Sequence, residues 1–236
     1  MQAIAKNRAM QIAVKNKDIF PVAVRELLHA LYSAGFFEES MLIGSWVMPL
    51  YQEEFGINYT LRTLDIDFAV KFVHPDKDKK IDIEKVITDL GYIPVMMQSG
   101  IRRFTRENFT IEFVVQRKGG RDEEVIPIRK WNITAVPLPF VEILLSSPFT
   151  ADFGKFKVRA PLPEAFFVHK LIIAQRRPGE SKKDKDLEQC SVIAHQLDID
   201  RLNIVIGSLK LSKKVMKTLR ASCEEINFPP QRLGLK

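Results

Sequence analysis

The chain has 236 residues, 46% of them hydrophobic, and its 36 basic and 29 acidic residues give a formal charge of +7. That length suits one large domain or two small ones, the apolar share excludes wholesale disorder, and interspersed charge favours an anionic partner without specifying nucleic acid. Two cysteines, Cys190 and Cys223, exclude a disulfide scaffold or zinc ligand set, and no secretion signal or run of ~18 apolar residues is present, so a cytoplasmic protein with reduced thiols and no membrane contact is expected.

Apolar residues at helical spacing from Val22 to Tyr32 predict a helix that Gly35 stops. Met41-Leu42-Ile43 reads as a short buried strand, and Gly44-Ser45 leads from it into a helix beginning at Trp46, with Pro49 in its first turn. A strand turning through Gly-Ser into a helix offers free N–H groups and the positive end of a dipole to a phosphate, with Ser45 as a hydroxyl donor. Gly-Ser on its own serves equally as a plain helix cap.

Asp65-Ile66-Asp67-Phe68-Ala69-Val70 is the most informative segment. In an extended chain Ile66, Phe68 and Val70 enter the core while both carboxylates face the other way. Two anions in one small volume repel unless a cation joins them, and hard oxygen donors suit Mg²⁺, which also takes phosphate ligands. Three further Asp-x-Asp pairs have simpler explanations. Asp76/Asp78 lie in a solvated turn, Asp184/Asp186 alternate with lysines at the start of a helix, and Asp198/Asp200 cap another.

Downstream, Ile81 to Leu90 reads as a helix ended by Gly91, and Ile101–Thr105 pairs with Thr110–Gln116 in a hairpin through Glu107-Asn108. Ile111, Phe113 and Val115 face the core and leave Glu112 on the opposite side, either as ordinary strand patterning or as a third ligand beside Asp65 and Asp67. Residues 119–124 form a polar loop, and the segment from Pro137 to Leu145 starts a helix. Beyond Pro163, helices are predicted over 164–177, 182–197, 201–208 and 212–223, interrupted by Pro178-Gly179. The expected class is α+β: a mixed sheet flanked by helices in residues 1–160, followed by a helical part in 161–236.

Gly44-Ser45, the Arg62-Thr63-Leu64-Asp65-Ile66-Asp67-Phe68 segment and Ile111-Glu112-Phe113 together resemble the polymerase-beta-type nucleotidyltransferase superfamily. Within it the chain resembles bacterial stand-alone members, including the toxin-type enzymes of abortive-infection systems. Residues 164–171 and 182–187 are similar to the helical half of those proteins. The resemblance implies transfer of a nucleoside monophosphate from a nucleoside triphosphate to a hydroxyl, with loss of pyrophosphate. It implies that Asp65 and Asp67 hold two Mg²⁺ ions, that Glu112 completes the acceptor side, and that Ser45 holds the terminal phosphates. Three features depart from the pattern: nineteen residues separate Ser45 from Asp65, the third acid is Glu112 where aspartate is common, and Gln189 stands where the toxin-type motif carries a second aspartate.

Several basic residues have two readings. Lys170 and Lys185 either wall the triphosphate or form ion pairs on a solvated face, and Lys182 and Lys183 read as solvated. Arg62 turns toward phosphate or pairs with an acid. Arg102, Arg103 and Arg106 decorate the hairpin, toward an acceptor. The last 36 residues carry eight basic and two acidic side chains, which suits RNA, tRNA in particular, although small-molecule and protein hydroxyls stay open. The rival class is a catalytically silent module of the same fold that binds nucleic acid or a partner protein. The four histidines lack ligand spacing and read as structural or exposed, and both tryptophans read as packing residues.

Overall fold

A computed structural model describes residues 10–71, 80–117 and 125–235. The turn holding Asp76 and Asp78 and the polar loop at 119–124 lie outside the described residues. In chain order, strand β1 (Met10–Ala13) precedes helix α1 (Val22–Ser33), which ends before Gly35 in the left-handed region at φ 76°. Strand β2 (Ser40–Ile43) passes through a 3₁₀ turn at Gly44–Val47 into α2 (Met48–Phe55), so the helix predicted from Trp46 starts with a tighter turn. Pro49 sits at its beginning, where the missing N–H is harmless. Next come β3 (Asp65–Val70), α3 (Ile83–Asp89) and β4 (Ile93–Met96). Strands β5 (Arg102–Arg106) and β6 (Phe109–Gln116) form the predicted hairpin, with Glu107 at φ 55° in its turn.

The segment from Pro137 corrects the sequence reading. Strands β7 (Ile126–Ile128) and β8 (Ile133–Leu138) come first, and helix α4 spans only Val141–Ser146. Pro139 disfavours helical backbone at Leu138, and the alternating burial of Ile133 and Ala135 has the period of a strand. A further hairpin of β9 (Pro148–Asp152) and β10 (Lys157–Pro161) had no counterpart in the sequence reading. The four C-terminal helices fall where periodicity put them, as α5 (Pro163–Ala174), α6 (Glu180–Ile193), α7 (Ile199–Gly207) and α8 (Lys213–Glu225).

Two sheets result. The larger one has the order β2-β3-β6-β5-β4, with β3 parallel to β6, and β8 parallel to the far end of β6 and carrying β7 on its other edge. The smaller sheet has the order β1-β9-β10. One face of the large sheet carries Ile66, Phe68, Phe104, Ile111 and Phe113, all buried, and continues into the main apolar core. On that side Arg102 pairs with Glu84 of α3, and Arg106 donates to the Leu90 carbonyl at 2.9 Å.

The other face packs α4 through a smaller apolar cluster that includes Ile43, Ala69, Val114 and Leu144. Helix α5 is apolar nearly all round and is accordingly buried, linking both parts of the chain in one continuous core. Tyr51 donates to the Pro161 carbonyl at 2.6 Å, and Ser222 of α8 donates to the Leu171 carbonyl at 2.7 Å, so both of these buried hydroxyls are satisfied. Among the described residues no helix is long and apolar enough to cross a membrane.

Candidate active site

The strand register brings distant acids onto one surface. Asp67 pairs across to Glu112 on β6 and to Ile43 on β2, while Asp65 stands opposite Thr110. Side-chain alternation buries Ile66, Phe68, Ile111 and Phe113 beneath them and leaves Asp65, Asp67 and Glu112 on the opposite face. Directly after Ile43 the backbone turns at Gly44 with φ 69°, a conformation that favours glycine. A Cβ there would also run into the Asp67 carboxylate. Glycine at this position is what lets the Ser45 turn lie against the acid strand.

Opposite the acids stand α5 and α6, and a cleft of about 390 Å³ separates them from the sheet. Phe166, Lys170 and Ile173 line it at helical spacing on α5; Lys182, Lys185 and Asp186 line it on α6. Its floor is apolar, formed by Val114, Val136, Leu138 and Leu144. Of the residues singled out in the sequence, Gly44, Ser45, Asp65, Asp67, Glu112, Lys170 and Lys185 meet here. Arg62 does not. Its guanidinium is exposed and lies 3.3 Å from Glu188 on α6.

Charge in this cleft is unevenly compensated. Asp67 is pushed up to about 7 by burial and by repulsion from Glu112, partly countered by Lys170, with Asp65 adding to the repulsion and Lys185 opposing it. Burial also raises Glu112; Arg103 opposes this, with its Nε 2.8 Å from Glu112 Oε1, and Asp65 adds to it.

The cations are better satisfied. Lys170, only 6% exposed, bonds one oxygen of Asp186, and Arg177 Nε reaches the other at 2.7 Å. Burial pulls Asp186 upward, but Lys170 and Arg177 outweigh it and hold the carboxyl below its usual range. Lys185 has no ion-pair partner among the described residues. Burial and then Lys170 lower its pKa against the pull of Asp186, Asp67 and Asp65.

Arg103, which the sequence offers to an acceptor, is instead the partner of Glu112 across the hairpin. The place of His169, read as structural or exposed, escapes the sequence reading. His169 also lines the cleft beside Lys170; burial, the neighbouring Lys170 cation and, against them, Asp186 leave its pKa at about 3, so its imidazole is neutral. Gln189 lies behind Ser45 and donates to its hydroxyl oxygen at 2.8 Å and to Tyr59 Oη at 3.0 Å.

Oxygen donors of this kind suit Mg²⁺, and the repulsion stored on Asp67 is what a divalent cation relieves. Among the described residues, however, no three His, Cys, Asp or Glu side chains stand ready to grip one ion. Glu112 is instead drawn to Arg103.

Residues 23–205 match the profile of a protein family described as Nucleotidyltransferase. No curated protein matches the chain. Solved structures with similarity to it include an antigenic nucleotidyltransferase-like protein from Paracoccidioides brasiliensis, at 14% identity and TM-score 0.46, over 89% of this chain and 94% of that one. Another is the antibiotic-resistance factor ANT(2'')-Ia, at 13% identity and TM-score 0.43, over 85% of this chain and 95% of that one.

Proposed function

We propose that this chain, which belongs to the nucleotidyltransferase family, moves a nucleoside monophosphate from a nucleoside triphosphate to a hydroxyl-bearing acceptor. The observation that carries this reading is the register that sets Asp67 opposite Glu112, with Asp65 on the same face and the Ser45 turn against them.

Asp65 and Asp67 would hold Mg²⁺, with Glu112 joining them once it exchanges Arg103 for the cation. The bound ion neutralises phosphate charge and polarises the α-phosphorus. Ser45 donates its hydroxyl to the terminal phosphates, and Lys185, which has no ion-pair partner among the described residues, faces the same anion. The acceptor oxygen forms a bond to the α-phosphorus, the bond to the bridging oxygen breaks, and pyrophosphate leaves with that electron pair. Glu112, the acid on the acceptor side, takes the hydroxyl proton.

RNA, including tRNA, is the first acceptor to test, because the formal charge is +7 and α8 exposes Lys213, Lys214, Lys217 and Arg220. The experiment incubates the protein with each α-labelled triphosphate, Mg²⁺ and separate pools of RNA, protein and metabolites. Label should enter one pool, only with Mg²⁺, and be lost with Asp67→Asn. Triphosphate binding that ignores Mg²⁺ and yields no labelled product would favour a silent binding module.

A further inference from the structure

Gln189 is completely buried, although neither of its neighbours in the site is a charged group that would demand it. Its Nε2 donates both hydrogens, one to Ser45 Oγ at 2.8 Å and one to Tyr59 Oη at 3.0 Å, while its Oε1 has no partner. The three groups come from separate parts of the chain. Ser45 belongs to the turn after β2, Tyr59 to the segment leading into β3, and Gln189 to α6. On α6, Gln189 follows Lys185 by four residues and Asp186 by three, so it shares their face. One carboxamide therefore ties the helix that carries the cations to both segments that frame the acid strand.

A hydroxyl oxygen has two lone pairs and a single proton. When Ser45 Oγ accepts from Gln189, the serine proton is not consumed by that bond, and no other side-chain hydrogen bond claims it among the described residues. Ser45 lines the cleft. We infer that Gln189 is a positioning residue that, by donating to Ser45 Oγ, keeps the serine proton free to be donated to a phosphate in the cleft. This rests on the nucleotide reading above. A carboxylate in the same place would act the other way: it accepts only, so it would draw the serine proton inward and away from the ligand.

The probe is inorganic tripolyphosphate with Mg²⁺, which tests anion binding without any base or acceptor. Binding is measured calorimetrically for wild type, Gln189→Met, Gln189→Glu, Ser45→Ala and the Ser45→Ala/Gln189→Met double variant, with a thermal melt of each. Gln189→Met keeps the side-chain length without the N–H groups and should weaken binding roughly tenfold, the size of one hydrogen bond to a charged group. Gln189→Glu should weaken it at least as much. In the Ser45→Ala background, Gln189→Met should cost nothing further, because the proton it controls is gone.

A residue that merely supports the fold would lower affinity by the same factor in both backgrounds, and that result overturns the inference. So does a Gln189→Glu protein that folds and binds as well as wild type, because the amide would then be accepting the serine proton. If Gln189→Glu fails to fold, the methionine series decides alone. Wild-type protein that ignores tripolyphosphate would overturn the nucleotide reading itself, a separate outcome from wild-type binding that Gln189→Met leaves unchanged.

Discussion

On the sheet side of the cleft, Asp65, Asp67 and Glu112 share one face, and Arg103 is the sole residue among those described that forms an ion pair with any of them. On the helix side, Lys170 is more deeply buried than any of these acids and is matched by Asp186, which Arg177 matches in turn. Burying a charge costs several kcal/mol unless a partner repays it. The helix wall has repaid that cost internally, so its inner charges stabilise the fold. The sheet wall has not, and its repulsion is available to a ligand. Charge thus has opposite meanings on the two sides.

Neutralising one acid on each wall would break this comparison most directly. Asp67→Asn removes a repelled charge and keeps the volume, so transfer should fall about a thousandfold or more in initial-rate assays, the scale of losing a group that acts on the reacting phosphate. Its melting temperature should hold or rise. Asp186→Asn has the opposite signature: it strands a buried lysine, and urea unfolding should show a loss of about 3–5 kcal/mol. A large stability loss in Asp67→Asn would mean that the sheet acids are structural after all.

The unequal charge balance also explains what could be read from the sequence. Asp65, Asp67 and Glu112 stood out because each interrupts an apolar strand alternation, a pattern confined to a few neighbouring residues, and the Gly44-Ser45 bend is equally local. The helices after Pro163 were legible from their periodicity. Compensation is not local. That Lys170 closes on Asp186, that Arg103 faces Glu112 and that Gln189 reaches Ser45 144 positions away depends on how elements pack. The β9–β10 hairpin escapes because its strands are short, and β8 escapes because Pro137 and Pro139 read as the start of a helix where they mark the end of the strand. Charge without a partner in the sequence was therefore a poor guide to charge without a partner in the fold.

His169 sharpens the comparison by way of pH. Its imidazole sits in the helix wall with a pKa of about 3, against an ordinary value of 6.5 in the unfolded chain. Between those values the unfolded state carries a proton that the folded state refuses, so stability declines as pH falls below 6.5. The slope from this group approaches about 1.4 kcal/mol per pH unit, or about 2 kcal/mol between pH 6.5 and 5. Urea unfolding of wild type and His169→Gln across that range should diverge by this amount as the medium acidifies, and the difference between them should be constant above pH 7. Parallel curves throughout would show that the imidazole is as solvated as an exposed one.

Arg62 supplies the smallest expected effect and tests the border of the site. The sequence offered it either to phosphate or to an acid, and the structure sets it against Glu188 with both side chains well exposed. Exposed ion pairs contribute at most about 1 kcal/mol, and water and salt screen them further. Arg62→Ala should therefore shift unfolding by less than about 1 kcal/mol. KM for the triphosphate should stay within roughly twofold, since removing a charge outside the cleft leaves the phosphate contacts in place. The contact to Glu188 still gives the residue a way in: rotation away from that carboxylate would release a guanidinium near the mouth of the cleft. A tenfold rise in KM with kcat unchanged would show that this rotation happens when triphosphate binds, and would move Arg62 from the outer surface of α6 into the phosphate-binding set.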